Sequence, residues 1–171
     1  MERVERPDAK RLLGPAFPDD DGTTPTALAA ALQEYAAGPA AYPSVLAAVS
    51  DSRLLVPVVA VLGEIEYDEQ GLAHDKSSDM ATVLLTGADG RQALLAFTSM
   101  ETMAAWRADA RPVPVPARDA ARAAMQEQAD AVVVDVAGPA TFAIEGDDLR
   151  AMAHGYQLTR VGEKTAWVAP A

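Results

Sequence analysis

The chain is 171 residues long, carries a formal net charge of −11 and contains no cysteine. That length fits one compact domain able to bury roughly two-thirds of its surface. The missing cysteines exclude disulfides, thiolate chemistry and Cys-ligated zinc, and the charge argues against nucleic acid and anionic membranes, whose phosphates are met by Lys and Arg.

No Lys/Arg cluster offsets the acidity. Ala dominates the apolar half and aromatics are scarce, so the expected core is many small groups around a few large anchors. Glu2, Arg3, Glu5 and Arg6 precede no apolar run of the kind that marks a signal peptide. The longest apolar run, Leu54–Leu62, is too short to span a bilayer and contains Pro57. The expectation is therefore a cytoplasmic protein without membrane insertion.

Residues 1–25 lack apolar periodicity and hold Pro7, Pro15, Pro18 and Pro25, which reads as a flexible or extended arm preceding one domain over residues 26–171. Arg11-Leu12-Leu13 offers an apolar dyad for docking on the body or on a partner. Thr26 to Ala37 reads as a helix capped by Thr24 or Thr26 and ended by Gly38-Pro39. A second helix is expected over Tyr42 to Ser50, with Pro43 in its first turn. Arg53–Leu62 reads as a buried strand, and Pro57 within it calls for a bulge or an edge. Gly63–Ser78 is acidic and irregular: a solvated loop, the polar end of a long hairpin, or a ligand loop. Its carboxylates do not follow calcium-loop spacing.

Ala81–Leu85 and Ala93–Phe97 flank Gly87-Ala88-Asp89-Gly90 and predict an antiparallel hairpin, because the two glycines supply the positive φ a reversing turn needs. Thr98-Ser99-Met100-Glu101 then matches a capping box, Thr98 and Glu101 opening a helix that runs through Trp106. The alternation Arg111-Pro112-Val113-Pro114-Val115-Pro116 reads as an extended crossover or edge strand, with Pro116 opening a helix over Ala117–Ala129. Ala121, Ala124, Met125 and Gln128 are the expected face of that helix. Ala131–Val136 reads as a buried strand, Gly138-Pro139 as a turn, and Ala140–Ile144 as a strand pairing back. Asp147–Ala153 reads as a last helix ended by Gly155, with two short closing strands at Tyr156–Thr159 and Thr165–Val168. The fold class is thus α/β (α+β): a mixed sheet containing an antiparallel hairpin, with helices packed on it.

The Lys76-Ser77-Ser78-Asp79-Met80 run, the strand and Gly-bounded turn after it, Leu95-Ala96-Phe97-Thr98-Ser99, and a helix with Trp near its end together resemble the SseB family. The resemblance extends from about Leu54 to about Gly155. Where that family often has an Asn-Pro-Gly-like turn after the last strand, Asp135-Val136-Ala137-Gly138-Pro139 stands here. The resemblance implies the fold, and a non-catalytic module for protein contacts.

The catalytic inventory agrees with that implication. No nucleophile elbow, phosphate-binding loop, dinucleotide fingerprint or zinc-protease motif is present. The two histidines read structurally: His74 as solvated within the acidic segment, His154 as a helix C-terminal cap. No cofactor or metal is implied. The candidate binding residues are Lys76, Asp79, Trp106 and Arg107. Lys76 reads as an ion-pair partner of Asp79 or Glu101, or as an anchor for an acidic ligand; Trp106 reads as a core anchor, or as a contact residue if exposed. Three functions follow: a non-catalytic adaptor binding another protein or itself, a sensing domain closing Lys76 and the Gly63–Asp79 loop on an anionic metabolite, and, distantly, a hydrolase. An enclosed pocket lined by Lys76 or Arg107 would favour the second, and an exposed apolar patch the first.

Overall fold

The computed structural model describes residues 17–61, 66–67, 73–74, 79–162 and 164–170. Helices α1 (Thr26–Ala37) and α2 (Tyr42–Ser50) form where the punctuation places them, with Pro43 in the first turn of α2. The Gly38 N–H closes α1 on the carbonyls of Glu34 and Tyr35. The N-cap of α1 is Pro25, which makes no side-chain cap bond, so neither threonine caps this helix.

Strand β1 (Arg53–Val61) follows and is central to a three-stranded sheet ordered β4-β1-β7. It pairs antiparallel with β4 (Asp79–Thr82) over Val58–Val61 and with β7 (Arg111–Pro116) over Arg53–Val58. Pro57 is accommodated without a free edge along the whole strand. The Leu55 N–H points away from β7, to the Phe97 carbonyl, so Pro57 two residues on would direct its missing N–H to the same side. On that side the partner changes from Phe97 to Thr82 and leaves position 57 unpaired. Beyond β1, the short strands β2 (Glu66–Tyr67) and β3 (Ala73–His74) pair antiparallel with each other, in the same register as β1 and β4.

A second sheet has the order β5-β6-β8-β9, from β5 (Leu84–Thr86), β6 (Gln92–Ala96), β8 (Ala131–Val134) and β9 (Phe142–Glu145). The β5–β6 and β8–β9 pairs are antiparallel and β6–β8 is parallel, which makes this a mixed sheet in an α+β fold. The β5–β6 turn is the expected one, with Gly90 at φ 82°. Leu55 and Phe97 exchange backbone hydrogen bonds and join the two sheets.

One face of the joined sheets carries Leu54, Val56, Leu94, Ala96, Val132, Val134, Phe142 and Ile144, all buried under α1, α2, α4 (Ala117–Gln126) and α5 (Gly146–Ala153). Phe142 anchors it, with the rings of Tyr35 and Tyr42 centred 5.3 and 5.0 Å away. Helix α4 buries Ala117, Ala120, Ala121 and Ala124. Ala121 and Ala124 face the core as expected, whereas Met125 and Gln128 are exposed. The buried stripe follows the i, i+3, i+4, i+7 rule counted from Ala117, and methyl-sized groups let the helix lie close on the sheet.

The chain closes with a hairpin of β10 (Gln157–Val161) and β11 (Lys164–Val168), which packs on the core through Leu158 and Trp167. Asp148 on α5 fastens it, accepting from Trp167 Nε1 at 2.8 Å and from the Tyr42 hydroxyl at 2.9 Å. Burial, together with this bond to a carboxylate, holds the Tyr42 phenol protonated well above its ordinary range.

The opposite face of the second sheet is covered differently. Helix α3 (Met100–Trp106) lies over its Phe97 end, where Leu55, Leu95, Phe97 and Met103 are buried. Leu94 and Phe97 are in the core as expected, but Val83, Val133 and Trp106 are only half-buried and Leu85 is 41% exposed. The reason is that Val83, Leu85 and Val133 lie on the face that has one short helix over it, and Trp106 is the last residue of that helix.

Candidate functional site

The parallel pair β6–β8 ends at one level, and both chains turn there. After β6, Phe97-Thr98-Ser99 leads into α3. The helix is capped one residue later than the sequence suggests: Ser99, not Thr98, is the N-cap, its hydroxyl accepting from Thr102 N–H while Thr102 Oγ1 accepts from Ser99 N–H. Glu101 is therefore an exposed residue of the first turn rather than the reciprocal cap. Thr98 is free of the cap because it is bound across the sheet.

Its partner is Asp135. The buried strand predicted over Ala131–Val136 stops at Val134, and Asp135 leaves it with φ 54°, a left-handed conformation that Asp tolerates better than most residues. Asp135 is 2% exposed. Its carboxylate accepts from Thr98 N–H at 2.9 Å and from Thr98 Oγ1 at 2.7 Å. Thr98 Oγ1 also lies 2.8 Å from Thr24 Oγ1. A hydroxyl has one proton, and a carboxylate only accepts, so Thr98 donates to Asp135 and Thr24 donates to Thr98. The turn behind Asp135 is tight: a Cβ on Gly138 would stand 2.9 Å from the Asp135 Cβ.

A cleft of about 200 Å³ opens above this chain of hydrogen bonds. Ala29, Leu32 and Ala36 of α1 form one wall, and Pro139 and Ala140 of the β8–β9 turn form the other. Thr24, Thr98 and Asp135 lie at its floor. The carboxyl ends of parallel strands are where open α/β sheets bind ligands.

Beside the cleft, Arg53 locks the preceding segment to the sheet. Its side chain is 6% exposed. Nε and Nη2 donate to the two oxygens of Asp20, each at 2.7 Å, Nη2 also reaches the Thr23 carbonyl, and Nη1 donates to the Thr98 carbonyl. The guanidinium holds the Asp20 carboxyl below its usual range. Residues 17–25, the described part of the predicted arm, turn at Pro18-Asp19, bend at Gly22-Thr23 and are docked on the body: the Gly22 carbonyl accepts from Met100 N–H at 2.8 Å.

The residues proposed from sequence fall in different places. Trp106 and Arg107 meet at the end of α3, the guanidinium 5.2 Å from the indole centre and the indole 5.5 Å from the Phe97 ring. Arg107 is exposed, with Asp109 at 3.8 Å. Asp79 opens β4 opposite Val61, six residues along β1 from Leu55, a span of about 20 Å at the strand rise. It belongs to a different part of the molecule from Trp106. Lys76 and most of the Gly63–Ser78 segment lie outside the described residues. His154 follows α5 as expected, its Nδ1 2.7 Å from the Arg150 carbonyl.

Sequence reasoning missed Arg53, Asp20, Thr24 and Asp135. Two signals were present: a carboxylate within the apolar run Val132–Val136, and an arginine opening a buried strand. Both are residue types that are almost never buried without a partner.

An α+β domain with this order of hairpin, capped helix, Pro-alternating strand and parallel pair has a family counterpart. The chain belongs to the SseB family: the family's N-terminal domain, described as SseB protein N-terminal domain, matches residues 28–151. The match begins earlier than the resemblance read from the residues and takes in α1 and α2, while β10 and β11 lie beyond it. No curated protein and no solved structure matches the chain.

Proposed function

We propose that this chain is a non-catalytic protein-interaction module that docks a different protein on the α3-bearing face of its second sheet. The observation behind this reading is the contrast between the two faces. One is sealed by four helices; the other leaves Val83, Val133 and Trp106 half-buried in one apolar cluster, with Leu85 exposed on the same face of the sheet. Trp106 with Arg107 stacked on it is the aromatic–Arg combination that dominates binding energy at protein interfaces. The net charge of −11 opposes self-association at moderate salt and favours a partner with a basic rim around an apolar patch.

Among the described residues, which leave out Ser77, Ser78 and the His74 side chain, the use of the polar groups supports a reading without catalysis. The Ser99 hydroxyl caps α3 and the His154 ring bonds the Arg150 carbonyl, so neither stands beside the other as nucleophile and base. Arg107 lies on an open surface beside Trp106, which favours protein contact over an enclosed site for an anionic metabolite.

The test pairs sedimentation with affinity capture. The purified chain should sediment as a monomer. A partner retained by the wild type should be lost with Leu85→Arg/Arg107→Glu and kept with Met125→Arg on the helical side. Equal retention by all three, or a stable homodimer, would overturn the reading.

A further inference from the structure

We infer that the cleft above Asp135 is a binding site for a small primary ammonium ligand with a short apolar tail. This does not depend on the protein-docking face: the cleft lies at the carboxyl ends of β6 and β8, and Leu85, Trp106 and Arg107 are not among its lining residues. Three observations carry it. The Asp135 carboxylate is 2% exposed, lines a cleft, and has no cationic partner among the described residues. Buried carboxylates are otherwise paired or bound to a cation, and Arg53, which bonds the Thr98 carbonyl, is committed to Asp20 and two backbone carbonyls.

The second observation is the polarity of the floor. The Thr98 proton goes to Asp135 and the Thr24 proton to Thr98, while Thr102 Oγ1 is engaged with Ser99. The protons on these hydroxyls are directed inward, so the floor offers the lone pairs of Thr24 and the remaining acceptor sites of Asp135, while Gln33 of α1, which also lines the cleft, is exposed and carries both a donor and an acceptor. The complementary ligand brings donors, and an ammonium group brings three on one centre. The third is the shape. Above the floor the walls are Leu32, Ala29, Pro139 and Ala140, which suit a short hydrocarbon. At about 200 Å³ the cleft is smaller than the roughly 300–1,000 Å³ of sites for drug-sized ligands. The tight Gly138 turn and the left-handed Asp135 hold the carboxylate at the cleft before a ligand arrives.

The experiment titrates the full chain with n-pentylammonium, n-pentanol and n-pentanoate by calorimetry and amide chemical-shift mapping. One saturable site is expected for the ammonium, with shifts centred on Thr24, Thr98 and Asp135, weaker binding of the alcohol and none of the carboxylate. Asp135→Asn keeps the left-handed backbone and an acceptor for Thr98 N–H, and should weaken ammonium binding at least about tenfold, the scale of a lost charged hydrogen bond. Ala29→Leu fills the cleft without touching any acceptor and should abolish binding; it keeps the test decisive if Asp135→Asn fails to fold. Absence of a saturable site, equal affinity for pentanoate, or affinity unchanged by Ala29→Leu would overturn the proposal, the last outcome showing only diffuse attraction to an acidic surface.

Discussion

Removing the Asp20 carboxylate should destabilise the domain far more than its position ahead of the first helix suggests. Arg53 is nearly enclosed, and its fork meets both Asp20 oxygens at 2.7 Å. Asp20→Ala leaves the cation only the Thr23 and Thr98 carbonyls. Breaking a fully buried pair from one side costs about 3–5 kcal/mol and an exposed pair about 0–1 kcal/mol. The Asp20 side chain is 16% exposed, so a cost of about 2–4 kcal/mol is expected. For a domain of this size that is a fall in Tm of roughly 5–12 °C. The sign with pH follows from the depressed Asp20 carboxyl. A carboxyl held below its unfolded value adds stability that is complete above that value, near pH 4, and is lost as pH falls through the folded one. The gap between wild type and Asp20→Ala should therefore be constant from about pH 5 to 7 and shrink below about pH 4. A double-mutant cycle with Arg53→Met, read by urea unfolding, isolates the pair. A gap under about 0.5 kcal/mol at pH 7, in the range of an ordinary surface substitution, would refute the reasoning.

Other substitutions read the rest of the structure. Val132→Asp should abolish cooperative folding, because Val132 is 1% exposed beneath the helices, whereas Val133→Asp on the half-open face should fold with reduced stability; circular dichroism melts separate the two. Gly138→Ala should cost about 1–3 kcal/mol by driving a Cβ against Asp135, measured by urea unfolding. Trp167→Phe removes one of the two donors to Asp148 and should lower stability by about 1–2 kcal/mol, with hydrogen exchange rising first in the closing hairpin.

Much of the fold was legible because its signals are local. Gly38-Pro39 ends α1, Pro43 opens α2 with its fixed φ, and Gly90, which alone of the two turn glycines has a positive φ, turns the β5–β6 hairpin. What failed depended on distant residues. Thr98-Ser99-Met100-Glu101 has the pattern of a capping box, but Asp135, 37 residues on, takes the Thr98 hydroxyl and Ser99 caps the helix instead. Leu85 is an apolar residue in a strand, but burial depends on which face of the sheet the helices cover, and alternation within one strand does not say. Met125 sits one position off the stripe that α4 buries. The cleft was invisible for the same reason: Thr24, Thr98 and Asp135 come from three separate segments. Trp106 and Arg107 were legible as a pair because they are adjacent, while Asp79, close to Lys76 in sequence, is held along β1 away from both.

The docking face is tested most directly by a photo-reactive residue placed at Leu85 and, as a control, at Met125, in cells that make the chain. The account predicts that irradiation joins a discrete, different protein to the chain from position 85 and not from position 125, and that Arg107→Glu suppresses that product. The same product from both positions, products containing only the chain itself, or none from position 85 would contradict it.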